Sequence, residues 1–189
     1  MLSDNHQTER LTLRPWRESD KPAFAKINAD TRVMQFFPEV YTREKSDLMV
    51  DKCNQRLARE GFTFWAVERK DLNAFIGFVG LTTFEADLPF CPCVEIGWRL
   101  AHEHWGHGFA TEAARFCLSL GFNQFSLEEI VSLTTLANIP SQRVMEKIGM
   151  VDTKKNFSHP SVDSKSGMQE HCLYRAAKEA HTLGIALPF

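Results

Sequence analysis

The hydrophobic pattern changes from the period of a strand to the period of a helix in the middle of the chain. Between residues 93 and 100, apolar and polar positions alternate, which predicts a β-strand. Gly106 and Gly108 follow, and glycine permits backbone angles that a side chain forbids. From Thr111 onward the apolar residues fall at helical spacing, namely Ala113, Phe116, Cys117 and Leu120. The pattern therefore predicts a strand, a glycine turn and a helix with Thr111 as its N-cap and Glu112 in its first turn.

Elsewhere the same patterns predict further helices and strands, with no internal repeat and no linker between domains. Strands are predicted at residues 11–13, 62–69, 75–84, 129–135, 150–157 and 170–176. Helices are predicted to start near Ser19 or Asp20, at Thr42 and near Pro140. The second of these helices is predicted to end at Gly61 and to bury Leu48, Met49, Cys53 and Leu57. Loops are predicted at residues 31–38 and 158–167, and the mixture of elements indicates an α+β or α/β layered protein.

Composition and charge exclude several classes of function. The chain has 189 residues, 43% of them hydrophobic and 24% charged, which is typical of a single soluble globular domain. A net charge of −2 gives no electrostatic reason to expect nucleic acid or a membrane surface as a partner. No apolar run is long enough to span a bilayer, and the N-terminus has no signal-peptide pattern. The five cysteines, an odd number at low density, indicate free thiols in a reducing cytoplasm.

The glycine turn before the predicted helix has the features of an anion site. Main-chain N–H groups at a helix N-terminus point in one direction, and the helix dipole adds partial positive charge. The segment matches neither the phosphate-binding loop of nucleotide-hydrolysing enzymes nor the dinucleotide-binding fingerprint. It also contains no lysine, so phosphate binding here would depend on main-chain donors. Taken alone, the pattern is equally that of a tight strand–helix turn without a ligand.

Two segments in the right order carry a resemblance to a known family. Residues 105–110, Trp-Gly-His-Gly-Phe-Ala, resemble the acyl-CoA loop of the GCN5-related N-acetyltransferases (GNAT), except that Trp105 stands where the family has Gln or Arg. Residues 138–150 resemble the Asn-to-Gly-Met segment of the ribosomal-protein-alanine N-acetyltransferases within that family. Residues 11–16 and 171–174 also resemble that branch. The resemblance covers roughly residues 8–176 and leaves 177–189 as a C-terminal tail.

The resemblance implies a fold and a reaction. It implies a single GNAT domain over residues 1–189, with a mixed, mostly antiparallel sheet of about six to seven strands, flanking helices and splayed strands at the acyl-CoA site. It implies an acetyl-CoA-dependent N-acetyltransferase that acts on a primary amine by direct attack in a ternary complex. The expected acceptor is a protein or peptide N-terminal α-amine. A small-molecule amine, or a non-catalytic acyl-CoA sensor, is the alternative. A cytoplasmic monomer or homodimer without a metal, nucleic-acid or membrane partner is expected.

The resemblance also assigns binding residues. Main-chain groups of Trp98, Arg99 and Leu100 are expected to hold the pantetheine arm of acetyl-CoA. The pyrophosphate is expected on Gly106, His107, Gly108, Phe109, Ala110 and Thr111. Further cofactor contacts are expected from Asn138, Ser141 and Arg143. Phe36 and Phe37 lie in the segment that would form one wall of the acceptor site, although they would equally serve to plug the core.

For catalysis, Glu95 is the candidate general base. It occupies the strand position where a subset of the superfamily has a glutamate, and partial burial would raise its pKa toward a useful range. A structural glutamate that pairs with a helix is the alternative. Met145 stands where many members have a tyrosine acid. Ser141 is therefore the candidate acid, because its hydroxyl can donate a hydrogen bond to the departing thiolate, and it is also a candidate helix N-cap.

Two other kinds of site, a zinc site and a catalytic cysteine, have little support in the sequence. Histidines at 102, 104 and 107 lie near Cys91 and Cys93 in the sequence, but their spacing matches no usual zinc motif. No metal site is therefore expected. A covalent acyl-cysteine on Cys93 or Cys172 has no base spaced beside it, so buried thiols are expected at both positions.

Overall fold

In the computed structural model of the protein, residues 5–179 are described, and the predicted tail therefore lies outside the described residues from 180 onward. Spatial contacts divide the described chain into two compact units. The first comprises residues 5–80 and 97–114, and the second comprises residues 81–96 and 115–179. A single domain over 1–189 stays a prediction.

The strands are β1 (His6–Gln7), β2 (Leu11–Arg14), β3 (Phe64–Arg69), β4 (Ala74–Phe84), β5 (Cys93–Leu100), β6 (Glu129–Thr135), β7 (Val151–Asp152), β8 (Phe157–Ser158) and β9 (Glu170–Ala177). The helices are α1 (Lys21–Ala29), α2 (Thr31–Met34), α3 (Arg43–Glu60), α4 (Phe109–Asn123) and α5 (Ile139–Lys147). Single 3₁₀ turns occur at Glu18–Asp20, His102–His104 and Ser164–Ser166. Among the described residues, no helix is both long enough and apolar enough to cross a bilayer.

Hydrogen bonds order the strands β1-β2-β3-β4-β5-β6-β9-β7, and β8 also pairs with β9. β5 and β6 run parallel, with Glu95 opposite Val131. The pairs β1–β2, β2–β3, β3–β4, β6–β9, β7–β9 and β8–β9 are antiparallel. The predicted α+β class with a mixed, mostly antiparallel sheet is confirmed. Six of the seven predicted strands are present with four or more residues each, and β1, β7 and β8 are strands of two residues.

The first unit has an aromatic core beneath α1 and α3. Trp16 and Phe24 pack at 4.7 Å between ring centroids, and Phe24 is fully buried. The Trp16 indole donates a hydrogen bond to the carbonyl oxygen of Phe64 at 2.7 Å, which satisfies its polar atom inside the core. α3 has the predicted caps, since Thr42 accepts a hydrogen bond from the Lys45 N–H and Gly61 ends the helix at φ 80°.

Two predictions about this unit are wrong in part. Of the stripe predicted for α3, Cys53 is buried and Met49 packs against the core, whereas Leu48 is 52% exposed, because the helix turns the Val50 face rather than the Leu48 face toward the core. The segment predicted as a loop at residues 31–38 contains the single helical turn α2. The Asp30 side chain caps that turn by accepting a hydrogen bond from the Arg32 N–H at 2.9 Å.

A buried charge network joins β2 to the start of α1. The guanidinium of Arg14 is 3% exposed and makes two hydrogen bonds to the Asp20 carboxylate, at 2.7 and 2.9 Å. A third hydrogen bond, at 3.0 Å, goes to Glu68. Asp20 occupies the N-cap position of α1 but makes no capping hydrogen bond to that helix, because its carboxylate is used by Arg14 and by the Arg17 N–H. The predicted helix start near Ser19 or Asp20 is confirmed, but the Asp20 side chain does not cap the helix.

The second unit depends on a close approach between α4 and the sheet. A Cβ added at Gly121 would lie 2.6 Å from Cδ1 of Ile130 and 3.1 Å from Cδ1 of Leu81, so the ends of these side chains would have to move to admit it. The single strand predicted at 150–157 is wrong. Two short strands, β7 and β8, pair with β9 instead, and between them Lys154 adopts φ 58°, which interrupts an extended backbone.

Candidate active site

The glycine turn has the backbone that its sequence predicts. Gly106 and Gly108 adopt φ 78° and φ 80°, a region that disfavours other residues. A Cβ at Gly106 would meet nothing within 4 Å, so conformation rather than lack of space requires glycine there. α4 begins at Phe109, directly after the turn, so Thr111 lies inside the first helical turn and its predicted N-cap role is wrong. The free main-chain N–H groups of the first turn of α4 therefore lie closer in sequence to the glycines than a helix capped by Thr111 would place them.

Arg10 holds the turn and the start of α4 together. Its Nε pairs with the Glu112 carboxylate at 2.6 Å, and its Nη1 donates to the carbonyl oxygen of His107 at 3.0 Å. Thr8 adds a hydrogen bond to Glu112 at 2.5 Å. Burial alone would raise the pKa of Glu112, but the hydrogen bonds from Thr8 and Arg10 outweigh it and hold that pKa below its usual value. Sequence reasoning missed this network, because its partners are about a hundred residues apart.

The Phe109 ring lies between two guanidinium groups. Arg10 lies 4.6 Å and Arg69 4.9 Å from its centroid. The rings of His104 and His107 lie 6.3 and 5.8 Å from the same ring. Each guanidinium already has a carboxylate partner, Glu112 for Arg10 at 2.6 Å and Asp71 for Arg69 at 2.5 Å, so an anion at the turn would depend mainly on main-chain N–H groups.

Trp105 connects the turn to the end of β5. Its indole N–H donates to the carbonyl oxygen of Leu100 at 2.8 Å, and its ring lies 5.0 Å from that of His102. This contact gives the residue that departs from the expected loop pattern a structural role. In the first unit, the structure therefore brings the predicted main-chain site at 98–100 next to the turn at 106–108.

The Arg99 side chain takes part in a cluster that sequence analysis did not predict. Its Nη1 donates to Oδ1 of Asn28 at 2.6 Å, and its guanidinium lies 4.2 Å from the centroid of the Phe37 ring. Phe36 and Phe37 are both half-buried, which is compatible with a wall of the acceptor site and equally with a role in the core. An arginine at an alternating position of a strand was the available signal, because such a position faces one side of the sheet.

In the second unit, Glu95 is the titratable residue with the most useful environment. The side chain is half-buried, and within residues 5–179 it makes no hydrogen bond or ion pair. Burial raises the pKa of Glu95 to about 8. A carboxyl group with this pKa releases and accepts a proton close to neutral pH, as a general base requires.

At the start of α5, Asn138 and Ser141 have different roles. Asn138 is 9% exposed, accepts a hydrogen bond from the Ser141 N–H at 3.3 Å and donates one to Thr134 at 2.9 Å. Asn138 is therefore the N-cap, and the alternative role of Ser141 as the cap is wrong. The Ser141 hydroxyl makes no hydrogen bond within the described part of the chain. Met145 is 1% exposed and belongs to the core, whereas Arg143 is exposed.

The competing kinds of site gain no support. Burial raises the pKa values of the Cys93 and Cys172 thiols, so neither is a ready thiolate nucleophile at neutral pH. Among residues 5–179, no group of three or more His, Cys, Asp or Glu side chains is arranged to hold a metal ion. The absence of a metal stays a prediction.

The sequence matches a known family over most of its length. The family described as "Acetyltransferase (GNAT) domain" matches residues 10–151. The uncharacterized N-acetyltransferase YnaD of Bacillus subtilis (strain 168) is 33% identical over 144 residues, which are 76% of this chain and 80% of YnaD.

Two solved structures show the same fold. A GNAT-family acetyltransferase from Bacillus anthracis is 27% identical, with a TM-score of 0.76 over 93% of this chain and 99% of the other. The ribosomal-protein-S5-alanine acetyltransferase from Vibrio fischeri is 18% identical, with a TM-score of 0.74 over 93% and 97% of the two chains. At that identity the second similarity concerns the fold alone.

The raised pKa of Glu95 predicts a measurable effect of pH on stability. The folded chain keeps a proton on Glu95 that the unfolded chain releases near its ordinary pKa of about 4.3. Because the unfolded state then binds fewer protons, this group lowers the free energy of unfolding as pH rises from about 5 to about 8. Urea unfolding across that window should show this decline in the wild type and not in Glu95→Gln. Glu85→Gln, at an exposed position, should behave like the wild type. Parallel curves for Glu95→Gln and the wild type would mean that Glu95 titrates in its ordinary range.

Proposed function

The chain belongs to the GNAT acetyltransferase family and is an acetyltransferase, and on this premise we propose that it transfers the acetyl group of acetyl-CoA to a primary amine by direct attack in a ternary complex. The observation that carries the proposal is Glu95, a half-buried carboxyl group with a pKa raised to about 8 and no partner among the described residues. It lies on β5, the strand that leads toward the glycine turn.

Acetyl-CoA is proposed to bind through main-chain groups of the first unit. Its pyrophosphate would accept hydrogen bonds from the main-chain N–H groups of residues 106–111. Its pantetheine arm would lie along Trp98, Arg99 and Leu100. A main-chain N–H there would stabilise the oxyanion that forms on the thioester carbonyl, an effect on the order of 3 kcal/mol in comparable sites.

Glu95 is proposed to take the proton of the acceptor. A primary amine is mostly an ammonium ion at neutral pH and then has no lone pair for attack on the thioester. A base with a pKa of about 8 holds an accepted proton firmly and still has a usable ionised fraction. Glu95 would act directly or through a water molecule.

Ser141 is proposed to assist the departing thiolate. Asn138 supplies the cap of α5, which leaves the Ser141 hydroxyl available to donate a hydrogen bond. Met145 has no proton to donate and is buried, so the position of the family's usual acid does not supply one here. Asn138 and Arg143 remain proposed contacts of the cofactor, with Arg143 exposed and able to reach a phosphate.

A protein or peptide N-terminal α-amine is the first proposed acceptor, and a small-molecule amine is the alternative. The motif of residues 138–150 supports the branch that acts on ribosomal-protein N-termini. The structure from Vibrio fischeri, whose name gives ribosomal protein S5 as the target of that enzyme, supports only the shared fold. Phe36 and Phe37 are the proposed wall of the acceptor site.

The proposed pyrophosphate site predicts that Gly108→Asp abolishes CoA binding. The change adds bulk and negative charge at the point where the phosphates would approach the backbone. Acetyl-CoA should raise the melting temperature of the wild type and not that of the variant. Gly167→Asp has a comparable positive φ and no close neighbours, so it controls for backbone strain and should keep the full shift. A normal shift in Gly108→Asp would place the anion elsewhere.

The proposed role of Ser141 predicts a loss of turnover without a loss of stability. Ser141→Ala should lower kcat while acetyl-CoA affinity stays the same, because the thiolate charge develops only during the reaction. The melting temperature should change little, since Asn138 is the cap. Steady-state kinetics and thermal unfolding of the same preparation check both parts. Normal turnover would exclude Ser141 from the reaction.

The proposed base predicts a characteristic pH dependence. Glu95→Gln keeps the shape of the side chain but accepts no proton, so kcat/KM should fall about 10²-fold or more at neutral pH. The deficit should shrink as pH rises and free amine becomes available from solution. Acetyl-CoA should still bind, since the proposed contacts from β5 are main-chain groups. Superimposable pH profiles of the two proteins would make Glu95 a structural residue.

A further inference from the structure

The guanidinium of Arg99 is a buried cation that no carboxylate neutralises within residues 5–179. Arg99 is 6% exposed, and its buried Nε has no hydrogen-bond partner. Burial lowers the pKa of Arg99, and Tyr41 acts in the opposite direction. A cation that loses its hydration without an anionic partner is unfavourable for folding, so its presence needs an explanation.

Arg14 shows how the same unit satisfies a buried arginine. Its guanidinium is about as buried as that of Arg99, yet it has the Asp20 carboxylate at 2.7 and 2.9 Å and Glu68 at 3.0 Å. At Arg99 the uncharged amide of Asn28 takes the place of these carboxylates. The Asn28 amide is itself fixed, because it also donates to Ser46 at 2.8 Å.

Aromatic side chains surround the Arg99 guanidinium, and the Tyr41 side chain also makes a hydrogen bond to it, although Nε remains without a partner. Its carbon lies 4.2 Å from the centroid of Phe37, 5.0 Å from that of Tyr41 and 5.7 Å from that of Phe78. Ring faces stabilise a cation, but they offer no acceptor to N–H groups that point outward in the guanidinium plane. A carboxylate binds in that plane through two oxygens. The unpartnered Nε is therefore the kind of donor that a carboxylate would accept from.

Two of these rings belong to the segment between α2 and α3. Phe37 and Tyr41 are half-buried and lie outside every helix and strand. Each is held by one main-chain hydrogen bond, from the Phe37 N–H to the carbonyl oxygen of Met34 at 2.9 Å and from the Tyr41 N–H to that of Asn28 at 3.0 Å. The Lys45 ammonium lies 4.4 Å from the Tyr41 centroid and is paired with the Glu39 carboxylate, whose hydrogen bond raises the pKa of Lys45. The Arg99 charge acts in the opposite direction, so the two cations are close enough to influence each other.

We propose that Arg99 binds a carboxylate group of the acceptor, so that the substrate is a primary amine that is also a carboxylic acid. This inference rests on the proposed function, in which Phe37 forms part of the acceptor wall. Phe37 covers the Arg99 guanidinium at 4.2 Å from its ring centroid. The substrate class is thus amino acids, or peptides with an acidic residue near the N-terminus, rather than polyamines.

A binding experiment tests the subsite without depending on catalysis. Protein labelled with ¹⁵N at arginine Nε is titrated with glycine, β-alanine and γ-aminobutyrate, and with the carboxamide of each. The Nε–H signal that is missing from Arg99→Met identifies Arg99. We expect at least one acid to shift that signal while its carboxamide does not. No shift with any acid, or a shift with inorganic phosphate alone, overturns the proposal.

A kinetic experiment tests specificity. With acetyl-CoA, the wild type should prefer an acid to its carboxamide by about tenfold or more in kcat/KM, mainly through KM. Arg99→Met should lose that preference, Arg99→Lys should keep part of it, and Arg32→Met, a change at an exposed arginine, should keep all of it. A preference that survives in Arg99→Met overturns the proposal. So does a loss of acetyl-CoA affinity in that variant, because Arg99 would then belong to the donor site.

The two experiments separate this inference from the proposed function. Release of free CoA with carboxamides and not with acids would support acetyl transfer and overturn the carboxylate subsite. An acid-specific NMR shift without CoA release from any amine would support the subsite and contradict the proposed reaction. If Arg99→Met does not fold, Arg99→Lys replaces it both in identifying the Nε–H signal and in the kinetic comparison.

Discussion

The hydrogen bond from the Trp105 indole to the carbonyl oxygen of Leu100 determines where the proposed donor site begins. It joins the last residue of β5 to the residue just before the glycine turn. The turn then adopts its left-handed angles at Gly106 and Gly108, and α4 starts at once. Arg10 fixes the other side through the Glu112 carboxylate and the carbonyl oxygen of His107. Main-chain donors are thereby held in place by side chains that need not touch a ligand.

The buried charged groups of the described chain are of two kinds, those with a partner of opposite charge and those without one. Arg14 has Asp20 and Glu68 as partners, and this network serves the fold. Glu95 has no such partner, and its burial shifts its pKa into the range where proton transfer is useful. Arg99 likewise lacks a carboxylate within the described chain. Residues whose charge the protein leaves uncompensated are the ones to which a substrate can contribute the missing interaction.

Sequence periodicity predicted much of the fold, because local patterns decide the local structure. The bounds of β6 and both caps of α3 are confirmed, since strand alternation, Thr42 and Gly61 act within a few residues. The start of α4 was misplaced because the Arg10 network depends on distant parts of the chain. The site residues were named by resemblance, and their environments needed coordinates. No local pattern could show that Arg99 lies against Phe37 or that burial shifts the pKa of Glu95.

The cap of α5 has a consequence for how this site can change in evolution. Asn138 performs the structural task and Ser141 is left with none among the residues described. A substitution at Ser141 is therefore expected to affect mainly the reaction, whereas one at Asn138 is expected to affect the stability of the helix. Chemistry at position 141 can diverge between descendants of this chain while the backbone around it is inherited unchanged.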